Sequence, residues 1–195
     1  MTIAISDMRL ETKRLLIRPY DERDFMESFH LMQDPALFAY LHMNVMTIEE
    51  YRGLFDWLTD SYQTPIDAPF KYSFAVRRWS DDALLGWCGV GELDFSAPDK
   101  ELYYLIGREH WGSGYATEAA SALAAYAFEV IGLGRLHAKA DPRNSASRKV
   151  LEKVGFRFGR VLEGLSGDDA DCNGEWMYAM TRDQLRGGEL ADARE

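Results

Sequence analysis

The residues best suited to chemistry stand in one stretch, ELYYLIGREHWGSGYATE at 101–118, where an apolar run passes through glycines into a helix-forming segment. The first turn of a helix carries unpartnered N–H groups and a partial positive charge, and glycine lets the backbone close on a ligand without a Cβ clash. Trp111, Gly112, Ser113, Gly114, Tyr115, Ala116 and Thr117 thus have the makings of an anion site, a row of amides suited to a pyrophosphate. A GxG turn ahead of a helix also serves as a plain connection, so spacing alone leaves both readings open. Two other nucleotide signatures are missing: no GxxxxGK[ST] occurs, and a GxGxxG fingerprint would need glycine at 117, where threonine stands.

Other reactive side chains are sparse. Cys88 and Cys172 are the only cysteines, with no CxxC pair or other metal-ligand spacing, so two reduced thiols and no metal are expected. Cys88 reads as a core residue and Cys172, in DDADCNGE, as an exposed one. His30, His42 and His137 show no triad spacing, and His110 reads as a surface residue beside the loop.

The scaffold for these groups follows from periodicity. Residues 12–19, TKRLLIRP, read as a strand stopped by proline. Asp21 opens a helix over 21–32 with Phe25, Phe29 and Met32 on one face, ended by Asp34-Pro35. A second helix, 47–62, has Thr47 as its cap and Tyr51, Leu54, Phe55 and Leu58 as its stripe. Strands over 72–79, 84–93 and 101–108, joined by short polar turns, predict an antiparallel meander. An alanine-rich helix over 116–131, a strand over 135–140, a helix over 144–154 capped by Asn144, and strands over 156–162 and 175–181 complete the order βααβββαβαββ. That order implies an α/β (α+β) fold, with a mixed, mostly antiparallel central sheet flanked by helices.

At 195 residues, 47% apolar and 28% charged, the chain suits one domain, taken as 8–186, with a polar tail over 187–195 expected to fray. No apolar run approaches the ~20 residues of a membrane helix, and residues 1–9 lack a signal peptide's features, so a cytoplasmic protein without membrane attachment is expected. The net charge of −10 argues against direct nucleic acid binding, which needs a basic footprint. It suits a cationic partner, or serves only solubility.

The run WGSGYATEA followed by a helix resembles the pyrophosphate-binding motif Q/R-x-x-G-x-G/A of the GNAT acetyltransferase superfamily, with Trp111, Gly114 and Ala116 in the motif places. Tryptophan at the first place departs from the general motif and resembles the RimJ/RimL-like branch. LETKRLLIRP at 10–19, NSASRKVLEKVGF at 144–156 and EWMYAMTRDQL at 175–185 are similar to other segments of that branch. The resemblance covers most of residues 10–185.

It implies the GNAT (acyl-CoA N-acyltransferase) fold, acetyl-CoA as acyl donor, and transfer of its acetyl group to a primary amine through a ternary complex. It further implies that the strands at 101–107 and 135–140 splay apart, so that the pantetheine arm adds like a strand against Leu105, Ile106 and Gly107, with Asn144 and Ser147 beside it. Ser147 is the implied proton donor to the leaving thiolate, and Glu101 the implied general base. A base is needed because a lysine-type amine is uncharged in only about one molecule in 2,000 at neutral pH. Glu118 is implied to be structural, facing away from the cofactor. The acceptor pocket is expected from Phe38, Tyr40, His42, Trp57 and the loop 164–174, where Asp168, Asp169 and Asp171 favour a cationic amine such as a peptide or protein amino terminus or a small molecule. A non-catalytic acyl-CoA-binding or sensing module stays open as the alternative, as does the choice of monomer or homodimer.

Overall fold

The computed structural model describes residues 4–185. Eight strands form one sheet: β1 (Leu10–Glu11), β2 (Leu15–Pro19), β3 (Lys71–Arg78), β4 (Leu84–Glu92), β5 (Lys100–Ile106), β6 (Arg135–Ala140), β7 (Arg157–Val161) and β8 (Trp176–Thr181). Their spatial order is β1-β2-β3-β4-β5-β6-β8-β7. Every neighbouring pair is antiparallel except β5 and β6, which run parallel and meet at one register position, Glu101 opposite His137. The mixed, mostly antiparallel sheet expected from the sequence is therefore present, with a split at its centre.

The opening strand departs from expectation. Its first part folds back as a hairpin, in which Thr12 N–H donates to the Leu15 carbonyl, so β1 and β2 replace one strand over 12–19. The first helix begins later than Asp21, because Asp21 caps a 3-10 turn, Glu22–Asp24, and α1 runs Phe25–Leu31. In α2 (Ile48–Ser61) Thr47 and Glu50 form a capping box, each side chain taking the other's backbone N–H. The tail expected over 187–195 lies outside the described residues.

Strand alternation gives the sheet two faces. On one, Ala75, Trp87 and Leu105 meet Phe25, Tyr51 and Phe55 of α1 and α2. On the other, Phe74, Val90, Leu102 and Leu136 meet α3 (Tyr115–Glu129) and α4 (Ser145–Val154). Ala119, Ala120, Ala124 and Ala127 are fully buried; their short side chains let α3 lie close on the sheet, where a larger residue would overpack it. Among the described residues no helix is long and apolar enough to cross a membrane.

One buried charge network anchors α1. Asp24, 0% exposed, accepts from Arg18 Nη1 (2.7 Å) and Nη2 (2.9 Å), Arg77 Nη1 (2.7 Å) and the Asp21 amide (2.8 Å). Arg77 also pairs with Glu27 and Asp82.

Candidate active site

The glycine loop takes the conformation its residues predict. Gly112 (φ 74°) and Gly114 (φ 82°) occupy the left-handed region that favours glycine. Gly114 is the N-cap of α3 and brings no side-chain cap. Glu118 N–H to the Gly114 carbonyl (3.1 Å) is the first bond of the helix, so the amides of Tyr115, Ala116 and Thr117 have no acceptor within it. That is the donor row an anion requires, and the loop is open: a Cβ on Gly112 would meet nothing within 4 Å.

Arg14, passed over in the sequence reading, holds this loop. Its Nη1 donates to the Ser113 carbonyl (2.9 Å), its Nε to Glu118 (2.7 Å), and its guanidinium lies 4.4 Å from the centre of the Tyr115 ring. Thr12 Oγ1 donates to the same Glu118 carboxylate (2.6 Å). Glu118 is thus occupied by the β1–β2 hairpin, in keeping with a structural role. His110, expected at the surface, is instead tucked edge-on against Tyr115 with ring centres 6.4 Å apart.

Backbone parity sorts the three residues expected along the split. Gly107 N–H donates to the Leu85 carbonyl (2.8 Å), and the Leu105 carbonyl points at β4, where a Cβ on Gly86 would strike it. In an antiparallel pair the groups alternate, so Leu105 and Gly107 spend their N–H groups on the β4 side. Tyr104 and Ile106 face the split. Of the three residues expected along the arm, Leu105, Ile106 and Gly107, only Ile106 therefore turns its N–H away from β4. The indole Nε1 of Trp111, 55% exposed, donates to the Ile106 carbonyl (2.7 Å), tying loop to strand end and leaving the Ile106 N–H for the split.

On the α3/α4 side of the split stands a pair of hydroxyls. Asn144 caps α4, its side chain accepting from Ser147 N–H (3.0 Å). Tyr104 Oη donates to the Ser147 carbonyl (3.1 Å) and lies 3.0 Å from Ser147 Oγ. Burial pushes the Tyr104 phenol well up, so it keeps its proton at neutral pH.

The opposite face carries the charge. Glu101, 6% exposed, has Lys71 Nζ 3.5 Å from one oxygen and Lys139 Nζ 3.5 Å from the other. Burial would lower the Lys139 ammonium, yet Glu101, Cys172 and Glu175 outweigh it and raise its pKa. Cys172, expected exposed, is half-buried with Sγ 3.6 Å from Lys139 Nζ. Cys88 is buried in the α3-side core, as expected, and desolvation pushes its thiol far up.

The expected acceptor residues divide. Phe38 is a core residue at 9% exposure, packed with α1 and α2, and is struck from the pocket. His42 reaches the 164–174 loop, its Nδ1 3.9 Å from Asp171, whereas Tyr40 lies beside the turn before α4, with Arg143 5.9 Å from its ring centre. Trp57, 52% exposed, lines a shallow cavity with Asp60, Lys71, Glu92 and Asp94. Among the described residues no group of three or more His, Cys, Asp or Glu side chains is placed to hold a metal ion.

Against this geometry the comparisons are consistent. The sequence matches the family described as Acetyltransferase (GNAT) domain over residues 14–157. It is similar to the uncharacterized N-acetyltransferase p20 of Bacillus licheniformis, 28% identical over 91% of this chain and 98% of that protein. The fold resembles an acetyltransferase (GNAT family) from Bacillus anthracis, with TM-score 0.75, 24% identity, and 90% and 99% of the two chains covered. It also resembles Mycobacterium smegmatis RimJ in complex with CoA-disulfide, with TM-score 0.72, 21% identity, and 91% and 88% covered.

Proposed function

The chain belongs to the GNAT acetyltransferase family, and on that premise we propose that it moves the acetyl group of acetyl-CoA directly onto a cationic primary amine, in a ternary complex, as a RimJ/RimL-like enzyme. Acetyl transfer and acetyl-CoA as donor are the property of the family; the branch, the acceptor and the residue roles are our reading. The observation that carries it is the split between β5 and β6 with an amide-lined loop at its wide end.

In this reading the pyrophosphate sits on the amides of residues 112–117 and the pantetheine arm lies in the split as an added strand, bonded to Ile106 N–H and bordered by Asn144. The arm then separates the two faces. The amine approaches from the side of Glu101, where Asp171 and the acidic loop favour a cation. Attack forms the C–N bond, the oxyanion takes a backbone N–H of the split, and the C–S bond breaks. Ser147, backed by the Tyr104 hydroxyl, returns a proton to the thiolate on the far face. The two unpaired cysteines suit a reducing compartment, which supports a cytoplasmic enzyme.

Thiol release from acetyl-CoA, assayed against amino-terminal peptides, polyamines, aminoglycosides and amino acids, tests the reading. Release that depends on a cationic amine is expected. Failure to bind acetyl-CoA would overturn it.

A further inference from the structure

Glu175 is a second carboxylate on the Glu101 side of the split, partly buried where Glu101 is ion-paired. It stands just before β8, on the face of the sheet shared by Met177 and its register partner Lys139. Its carboxylate is half-buried and makes no hydrogen bond or ion pair with any described residue. The register places Glu175 opposite Asp141 and therefore level with Leu105, in the wide part of the split, whereas Glu101 lies at the closed end where β5 and β6 still pair. Four residues of strand, about 13 Å, separate those levels. The carbonyl of a donor held at Ile106 is thus nearer the level of Glu175.

We infer that Glu175 is the carboxylate that receives the acceptor ammonium and takes its proton, while Glu101 stays ion-paired and positions Lys139. The inference rests on the acetyl-transfer reading above and assigns the proton acceptor within it. The ammonium gives one proton to Glu175, the freed nitrogen attacks the thioester carbon, and the C–S bond breaks. The second N–H proton leaves with the thiolate through the Ser147 and Tyr104 hydroxyls, so products are the amide, the free thiol and one proton.

Two carboxylates in unequal surroundings divide acid–base work according to what surrounds each. Glu101 has an ammonium 3.5 Å from each oxygen, so both oxygens are already engaged. Around Glu175 stand Lys139 and Asp141 from β6 and its end, His42 from the segment before α2, Glu101 from β5 and Cys172 from the turn before β8. Burial raises its pKa, and Lys139 and His42 only partly oppose this. A base of raised pKa suits proton removal near neutrality.

The test measures kcat/KM against pH for the intact protein with a cationic amine found by thiol release. Glu175→Gln is expected to lower kcat/KM about a hundredfold and to abolish its fall at low pH, with acetyl-CoA affinity unchanged. An acceptor of low amine pKa, already neutral at the assay pH, should recover most of the lost rate. Glu175→Asp, which keeps a carboxylate, should retain the low-pH fall at reduced rate. A Glu175→Gln profile that keeps the wild-type low-pH fall overturns this inference alone; a wild-type protein that binds acetyl-CoA yet releases no thiol with any amine overturns the acetyl-transfer reading with it.

Discussion

Two groups of buried charge in this molecule are built to opposite specifications. At the entry to α1 the Asp24 carboxylate takes four hydrogen bonds, about as many as two carboxylate oxygens accept. At the central split Glu101 has two ammoniums at 3.5 Å, and Glu175, though within the field of Lys139 and His42, makes no hydrogen bond or ion pair with any described residue. A saturated carboxylate fixes strands and a helix to one another and has nothing left for a ligand. An unsaturated one costs stability and keeps its capacity for something that arrives later.

That contrast can be broken by substitution. The largest effect is expected at Asp24: Asp24→Ala leaves Arg18 and Arg77 facing a void and should cost about 4 kcal/mol in urea unfolding. Acetyl-CoA affinity of the folded fraction should hold; a loss of less than about 1 kcal/mol would place Asp24 among ordinary surface charges. Next comes Glu101→Gln, at about 2 kcal/mol by the same measurement, because Lys71 keeps Asp94 at 2.9 Å as a second partner. A cost as large as that of Asp24→Ala would mean the two clusters are built alike.

Tyr104→Phe removes one hydroxyl and its bonds to Ser147, and should cost about 1 kcal/mol together with a fall in kcat that leaves acetyl-CoA affinity intact. An unchanged kcat would remove the hydroxyl pair from the reaction. The smallest effect is expected at Glu175, with the opposite sign. Its folded-state pKa is raised, so its contribution is fully favourable below the unfolded value near 4.5 and is lost as pH rises through the folded value. Glu175→Gln should therefore melt slightly above the wild type at pH 7, and the gap should close at pH 4. A lower melting temperature at pH 7 would show that the carboxylate is structural.

Much of the fold was legible because it is written locally. The boundaries of β6, the capping of α4 by Asn144 and of α2 by Thr47, and the positive-φ glycines of the loop depend on neighbours a few residues away. What escaped depends on distant partners. Nothing in TKRLL tells that Arg14 will reach Ser113, or that Thr12 will turn the strand back to hold Glu118. The parity that gives Ile106 and Tyr104 to the split, and Leu105 and Gly107 to β4, is set by register with a partner strand, and a one-residue slip would exchange the two sets. Phe38 read as a pocket aromatic because exposure is not visible in a sequence; its burial comes from α1 and α2 closing over it.

The split also bears on how the molecule holds together. With one rung joining β5 to β6, the sheet is two leaves joined at Glu101 and His137, and in the proposed reading a guest lying between them would supply the rungs the chain omits. Amides of Tyr104 and Ile106 would then exchange with solvent until that guest arrives. Its concentration would set the melting point too: an occupant at a hundred times its Kd adds about 2.7 kcal/mol to the folded state. Substrate supply and persistence of the protein would rise and fall together.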